Sequence, residues 1–131
     1  MNSAALATTG YGDAQIAFQD FRQGEYRVFA EATRRLRVAA EAKKDAPGAF
    51  ALLAEALHDN VRLWLIIAAD VASPKNELPA QLRARLFYLA EFTRVHSAKV
   101  LAGDAAPDAL IDVNTAIMKG LRAGVAAGGA A

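Results

Sequence analysis

The sequence has no cysteine and only two histidines among 131 residues. Without cysteine, disulfides, thiolate nucleophiles and zinc–sulfur sites are excluded, and a reducing cytoplasm is the expected compartment. Neither His58 nor His96 has a second histidine or a carboxylate at the His-x-x-x-His or His-Glu-x-x-His spacing of helical metal sites. We therefore expect no metal site, and we read His96 as a half-buried core residue.

An excess of charge of one sign is also missing, as are long hydrophobic runs. The chain has 15 basic and 14 acidic residues, a net charge of +1, which gives no long-range attraction to nucleic acid or to an anionic membrane. The most apolar stretch, residues 61–69, is too short for a bilayer, which needs about 20 residues. The first residues lack the basic start and apolar run of a signal peptide, so we expect none. We expect a cytoplasmic protein without membrane contact.

Helical periodicity is what the sequence does contain. Between glycine and proline breaks, apolar residues recur three and four positions apart. This spacing predicts main helices at about 25–44, at 49–72, from after Pro79 to about 101, and at 108–121. A short extra helix at 13–21 is a further option. No segment alternates as a strand would, so the predicted fold is an all-α bundle of four main helices.

The same breaks predict the domain organisation. We expect a flexible arm at 1–12, a single bundle domain at 13–122 and a flexible, glycine-rich tail at 123–131.

Residues for catalysis are scarce. None of the serines lies in a Gly-x-Ser-x-Gly motif, and Gly10-Tyr11-Gly12 is not followed by the lysine of a phosphate-binding loop. Asp108 and Asp112 lie one turn apart, and we interpret them as part of a solvated helix face and not as an acid–base pair. We predict a protein that is not an enzyme and that has no cofactor.

Two asparagines lie on apolar helix faces. Asn60 precedes Trp64 by one turn and so shares its face, and Asn114 lies within the apolar seam of the last helix. Because a buried, unpaired asparagine costs about 1–3 kcal/mol, each requires a partner. The partner is either within the bundle, through an interhelical hydrogen bond or a helix-end contact that fixes its register, or, for one of the two, the backbone of a bound client.

Four motifs, in order, resemble the FlaF family of flagellar biosynthesis regulators. The sequence from Asn60 to Leu63-Trp64 resembles its Asn-x-x-Leu-Trp core, and Asn76-Glu77-Leu78-Pro79 its entry into the next helix. Phe92 and His96 match that helix, and Leu110 to Asn114, followed by Ile117 and Gly120-Leu121-Arg122, resembles the closing motif. The residues that carry structural roles in these motifs are Asn60, Leu63, Trp64, Pro79, His96 and Asn114. The resemblance covers about residues 11–122, but residues 19–24 replace the family's usual Ser-Pro-Arg.

The resemblance implies a cytoplasmic alphaproteobacterial protein needed to make and export flagellin. Members work alongside a second regulator, FlbT, which acts on flagellin messenger RNA. The FlaF-like protein itself is thought to bind flagellin, in the manner of a secretion chaperone.

The predicted helices at 49–72 and from after Pro79 to about 101 carry more apolar residues than one seam needs, which favours recognition of an amphipathic client helix. We place Trp64 in the core. The predicted contact residues lie off the seams; they are Arg62, Leu65, Ile66, Phe87, Tyr88 and Val95. One alternative is a post-transcriptional regulator that binds flagellin messenger RNA, either directly through Arg34, Arg35 and Arg37 or through FlbT. Nearby acidic residues and the lack of interleaved aromatics disfavour direct nucleic-acid binding. Another is a homodimer formed through the spare apolar face.

Overall fold

A computed structural model describes the backbone of residues 26–130 and the side chains of residues 26–120. Four helices follow one another: α1 over residues 26–41, α2 Ala49–Ala72, α3 Ala80–Leu101 and α4 Asp108–Ala130. Residues 26–130 contain no strand. The predicted all-α bundle is therefore confirmed.

Some predicted boundaries differ from the structure. Helix α1 ends at residue 41, earlier than predicted, because the backbone turns at Lys43, whose carbonyl accepts a hydrogen bond from Ala46 N–H. Helix α4 continues to Ala130, past the predicted end at 121. The arm at 1–12 and the short helix at 13–21 lie outside the described residues. The domain limits remain predictions.

Glycine and proline set the connections between helices. Gly48 precedes α2 with a φ of 78°, and Gly103 follows α3 with a φ of 83°. Left-handed backbone of this kind favours glycine, since it has no Cβ to clash. After Gly103 the chain folds back on α3, because Asp104 N–H donates to the Lys99 carbonyl at 2.8 Å. These turns bring successive helices into antiparallel contact.

The link between α2 and α3 is held by Asn76. Its side-chain oxygen accepts a hydrogen bond from Leu78 N–H at 3.0 Å, and its amide nitrogen donates to Asp70 at the end of α2 at 3.2 Å. Leu78 is thereby buried in the core. Pro79 then precedes the first turn of α3, where its missing N–H costs no hydrogen bond. The Asn-x-Leu-Pro motif is thus a helix connection.

The core consists of two apolar clusters stacked along the bundle. The first, which we call the Trp64 cluster, contains Phe29, Ala32, Leu63, Trp64, Ile67, Val71, Leu78, Leu86, Ala90 and Met118. The second, the Leu57 cluster, contains Leu36, Ala39, Ala56, Leu57, Val100 and Leu110. All four helices contribute to both clusters. The bundle thus has a closed interior, and any partner must dock on its outside or displace a helix.

Candidate partner-binding surface

All six predicted contact residues are exposed. Ile66 and Tyr88 are the most open of the apolar ones, with 58% and 68% of their surfaces accessible. Arg62, Leu65, Phe87 and Val95 are exposed as well. Their side chains can therefore meet a partner without any change in the core.

The structure divides these residues between faces. Tyr88 and Val95 lie two turns apart and form one stripe along α3. On α2, Leu65 and Ile66 are adjacent and so point about 100° apart. Ile66 lies two turns after Asp59, whose carboxylate bonds to Arg35 of α1, so Ile66 shares the side of α2 that faces α1. The apolar surface thus wraps around the bundle.

Two clefts between α1 and α2 were missed from the sequence. One, of about 410 Å³, is lined by Arg27, Val28, Glu31, Ala32, Arg35, Asp59 and Leu63. The other, of about 190 Å³, is lined by Arg34, Arg35, Val38, Leu52, Glu55 and Ala56. The exposed apolar residues here are Val28, Val38 and Leu52. Helical periodicity places these residues beside the α1 and α2 seams. It does not predict that the two helices face each other there.

An ion-pair network lies where the two clefts meet. Glu31 accepts hydrogen bonds from Arg34 at 2.7 Å and from Arg35 at 3.2 Å. Arg35 also donates to Asp59 of α2 at 2.7 Å. Arg37 donates to Thr115 of α4 at 3.2 Å. The arginines considered for RNA binding therefore all make intramolecular contacts, and two of them face carboxylates.

The network should be visible in the titration of Glu31. Hydrogen bonds from Arg34, and then from Arg35, lower the pKa of Glu31 from 4.5 to about 2. The associated stability is present above pH 4.5 and is lost as the pH falls through about 2. Because the pair is exposed to solvent and salt, we expect only a small effect on unfolding.

Carboxyl carbon NMR is the measurement that checks this titration. We expect a Glu31 midpoint near pH 2, and Arg34→Gln should raise it more than Arg35→Gln because the Arg34 hydrogen bond is the larger cause. A wild-type midpoint at the ordinary glutamate value would contradict the network.

The two asparagines meet each other inside the bundle. Asn114 donates to Asn60 at 2.8 Å, although 54 residues separate them, and accepts from the Trp64 indole N–H at 2.9 Å. All three side chains are buried, and the Trp64 ring also contacts Phe29 edge-on with centroids 5.5 Å apart. Of the two predicted partners, the structure shows the interhelical one. Trp64 is a core residue, as predicted.

His96, the histidine placed in the core by the sequence, makes its contacts within the bundle. His96 is half-buried, stacks on Phe92, and its Nε2 lies 2.9 Å from the Ala106 carbonyl in the α3–α4 turn. Within the described part of the chain, no three histidine, cysteine or acidic side chains gather where they could hold a metal ion. In the same residues, no helix has the length and apolarity to cross a membrane.

Comparison with known proteins gives one match. Searches of curated proteins and of solved structures found none. The family model described as flagellar protein FlaF matches residues 7–121, which include α1, α2, α3 and most of α4. Since this match covers nearly the whole chain, the protein belongs to the FlaF family of flagellar proteins.

Proposed function

We propose that this flagellar protein is a cytoplasmic, non-catalytic chaperone that binds flagellin and supports its synthesis and secretion, with FlbT as a further partner. The observation that carries the proposal is the number of large apolar side chains left open on a bundle with a complete core. They are Val28, Val38, Phe50, Leu52, Leu65, Ile66, Phe87, Tyr88, Val95 and Leu101. Single exposed apolar residues are ordinary, but a set of this size favours a partner.

An amphipathic client helix suits this surface. Flagellin's terminal segments are amphipathic, a property that the family resemblance brings to the proposal, and such a helix presents anchors one turn apart. The Tyr88–Val95 stripe repeats with a matching period along α3. Burying one large apolar side chain stabilises a complex by about 1.5–3 kcal/mol. Several such anchors are needed, because association itself costs at least about 4 kcal/mol.

The test of binding is direct mixing with flagellin of the same bacterium. Light scattering should show a complex with the full-length protein, and removal of the bound terminal segment should abolish it. The complex should survive a rise in salt, since apolar burial carries it, whereas RNA binding would weaken steeply. Absence of a complex at micromolar concentrations would refute the proposal.

Tyr88→Asp should weaken that complex by about tenfold or more, because it places a charge where an apolar anchor would be buried. The variant should melt like the wild type, since Tyr88 is exposed. Gln81→Asp is the matched control: it adds the same group to the same face of α3, two turns earlier, without removing an apolar side chain. If both variants bind flagellin like the wild type, the α3 stripe is not the contact surface.

A further inference from the structure

Helix α4 is held differently from its neighbours. Among the described residues, its side-chain hydrogen bonds to other helices involve only Asn114 and Thr115. Helix α3 also packs far less extensively against α4 than against α2. The remaining attachment is apolar: Leu110 and Met118 are buried in the two clusters, and Ile111, Val113 and Ile117 pack against them partly buried. The docking of α4 therefore depends on one apolar row and on a single buried polar residue, Asn114.

The α4 sequence also disfavours helix. Gly120, Gly124, Gly128 and Gly129 fall within its bounds. Each glycine in a helix interior lowers the helix-forming equilibrium about four- to fivefold relative to alanine. At Gly120 a Cβ would meet no atom within 4 Å, so packing does not require glycine there.

A polar layer separates the two apolar clusters beneath α4. Its buried members are Thr33, Asn60, Thr93, Ser97 and Asn114, and every helix supplies at least one. Asn60 Nδ2, Thr93 Oγ1 and Ser97 Oγ have no hydrogen-bond partner within the described residues. A partly satisfied layer holds helices together less strongly than apolar packing does. The bundle is therefore weakest at the level where Asn114 docks.

We propose that α4 is an exchangeable helix, and that the trough it covers on α1, α2 and α3 binds an amphipathic client helix with an asparagine or glutamine in its apolar seam. The trough is the apolar surface around Asn60 and Trp64. This inference rests on the proposed function for the identity of the client, and it gives that client a second contact, the trough, beside the outer faces.

The chemistry of the trough selects an amide. The Trp64 indole N–H requires an acceptor, and the Asn60 oxygen requires a donor. The amide of asparagine or glutamine supplies both from one planar group, as Asn114 does, whereas an ionised carboxylate only accepts and a lysine only donates. Apolar anchors must flank this amide one turn away on each side, as Leu110 and Met118 flank Asn114.

If α4 exchanges, the apparent affinity for the client depends on the equilibrium between docked and released α4. If the client binds only when α4 is released, its apparent affinity scales with the released fraction. Gly120→Ala strengthens α4 without touching the trough. This variant should lower both the released fraction and the client affinity about four- to fivefold.

The probe is a fluorescein-labelled synthetic peptide of residues 108–122, added to the full-length protein. We expect saturable binding by anisotropy, with a rate that levels off at high peptide concentration because release of α4 becomes limiting. Emission from the only tryptophan, Trp64, should change on release and recover on replacement. A peptide with leucine at position 114 should bind at least about tenfold more weakly, since it leaves the indole N–H and the Asn60 oxygen unpaired.

The controls separate this inference from the proposed function. Gly120→Ala should weaken peptide binding about fivefold, whereas His58→Ala, on an exposed position of α2, should leave it within twofold. The proposal would be overturned by any of three results. These are no binding of the peptide, a peptide affinity of Gly120→Ala equal to that of the wild type, and exchange of α4 only between two copies of this chain. Peptide exchange without flagellin binding would instead refute the flagellin assignment and leave exchange intact. Flagellin binding insensitive to Gly120→Ala would overturn exchange and leave flagellin on an outer face.

Discussion

Trp64→Ala should lower the free energy of unfolding by about 3–5 kcal/mol, the range for removing a large aromatic side chain from a core. Only 1% of the Trp64 surface is exposed. Its ring contacts Phe29 of α1 edge-on, and its indole N–H bonds to Asn114 of α4. One side chain on α2 therefore joins three helices, and its removal leaves a cavity where they meet.

Urea unfolding followed by far-ultraviolet circular dichroism measures this loss. Trp64→Phe keeps most of the ring volume but leaves the Asn114 oxygen without its donor, so about 1–3 kcal/mol should be lost. Tyr88→Ala removes an aromatic ring from an exposed position, and about 0.5 kcal/mol or less is expected. A Trp64→Ala protein that unfolds like the wild type but loses its client would assign Trp64 to the binding surface instead of the core.

The helix pattern was predictable because strong breakers flank it. Pro47-Gly48 and Ser73-Pro74 enclose α2, and its observed bounds, Ala49–Ala72, are those predicted. Helix α3 likewise ends at Leu101, before the left-handed Gly103. The ends of α1 and α4 have no such breaker immediately after them. Glycines spaced through the end of α4 do not stop the helix, since each is a modest penalty and none imposes a turn.

The site was only partly predictable. Burial and propensity rules required partners for Asn60 and Asn114, but the identity of those partners depends on the packing of α2 against α4. Of the exposed apolar residues, Leu65, Ile66, Phe87, Tyr88 and Val95 were recognised from periodicity. Their division into separate faces follows from the position of α1, which buries Phe29 and Leu36 in the core. Pairing across distant helices leaves no periodic pattern in the sequence, and for this reason the α1–α2 clefts were missed.

The costs of replacing the two asparagines should not be additive. Asn114→Ala deprives the Trp64 N–H of its acceptor and the Asn60 oxygen of its donor, at about 1–3 kcal/mol for each buried group. Asn60→Ala leaves only the Asn114 nitrogen unpaired, and it should cost less. Thr115→Ala is the neighbouring control, and it should cost less again, since Thr115 is partly buried and its hydroxyl donates within its own helix to Ile111.

The double variant Asn60→Ala/Asn114→Ala completes the test, because the free energy of unfolding that it loses should fall below the sum of the two single losses by about 0.5–3 kcal/mol.

Replacing the whole network, with leucine at both positions and Trp64→Phe, removes every polar group that needs a partner there. That triple variant should be more stable than Asn114→Ala alone, because an apolar replacement of all partners avoids the cost of orphaned ones. Strict additivity in urea unfolding would mean that the asparagines act independently and that the amide does not set the register of α4. Strong coupling would show that the asparagines act as one unit. If the triple variant also folds well but no longer exchanges α4, the polar layer lowers the stability of a bundle that apolar residues there would stabilise more.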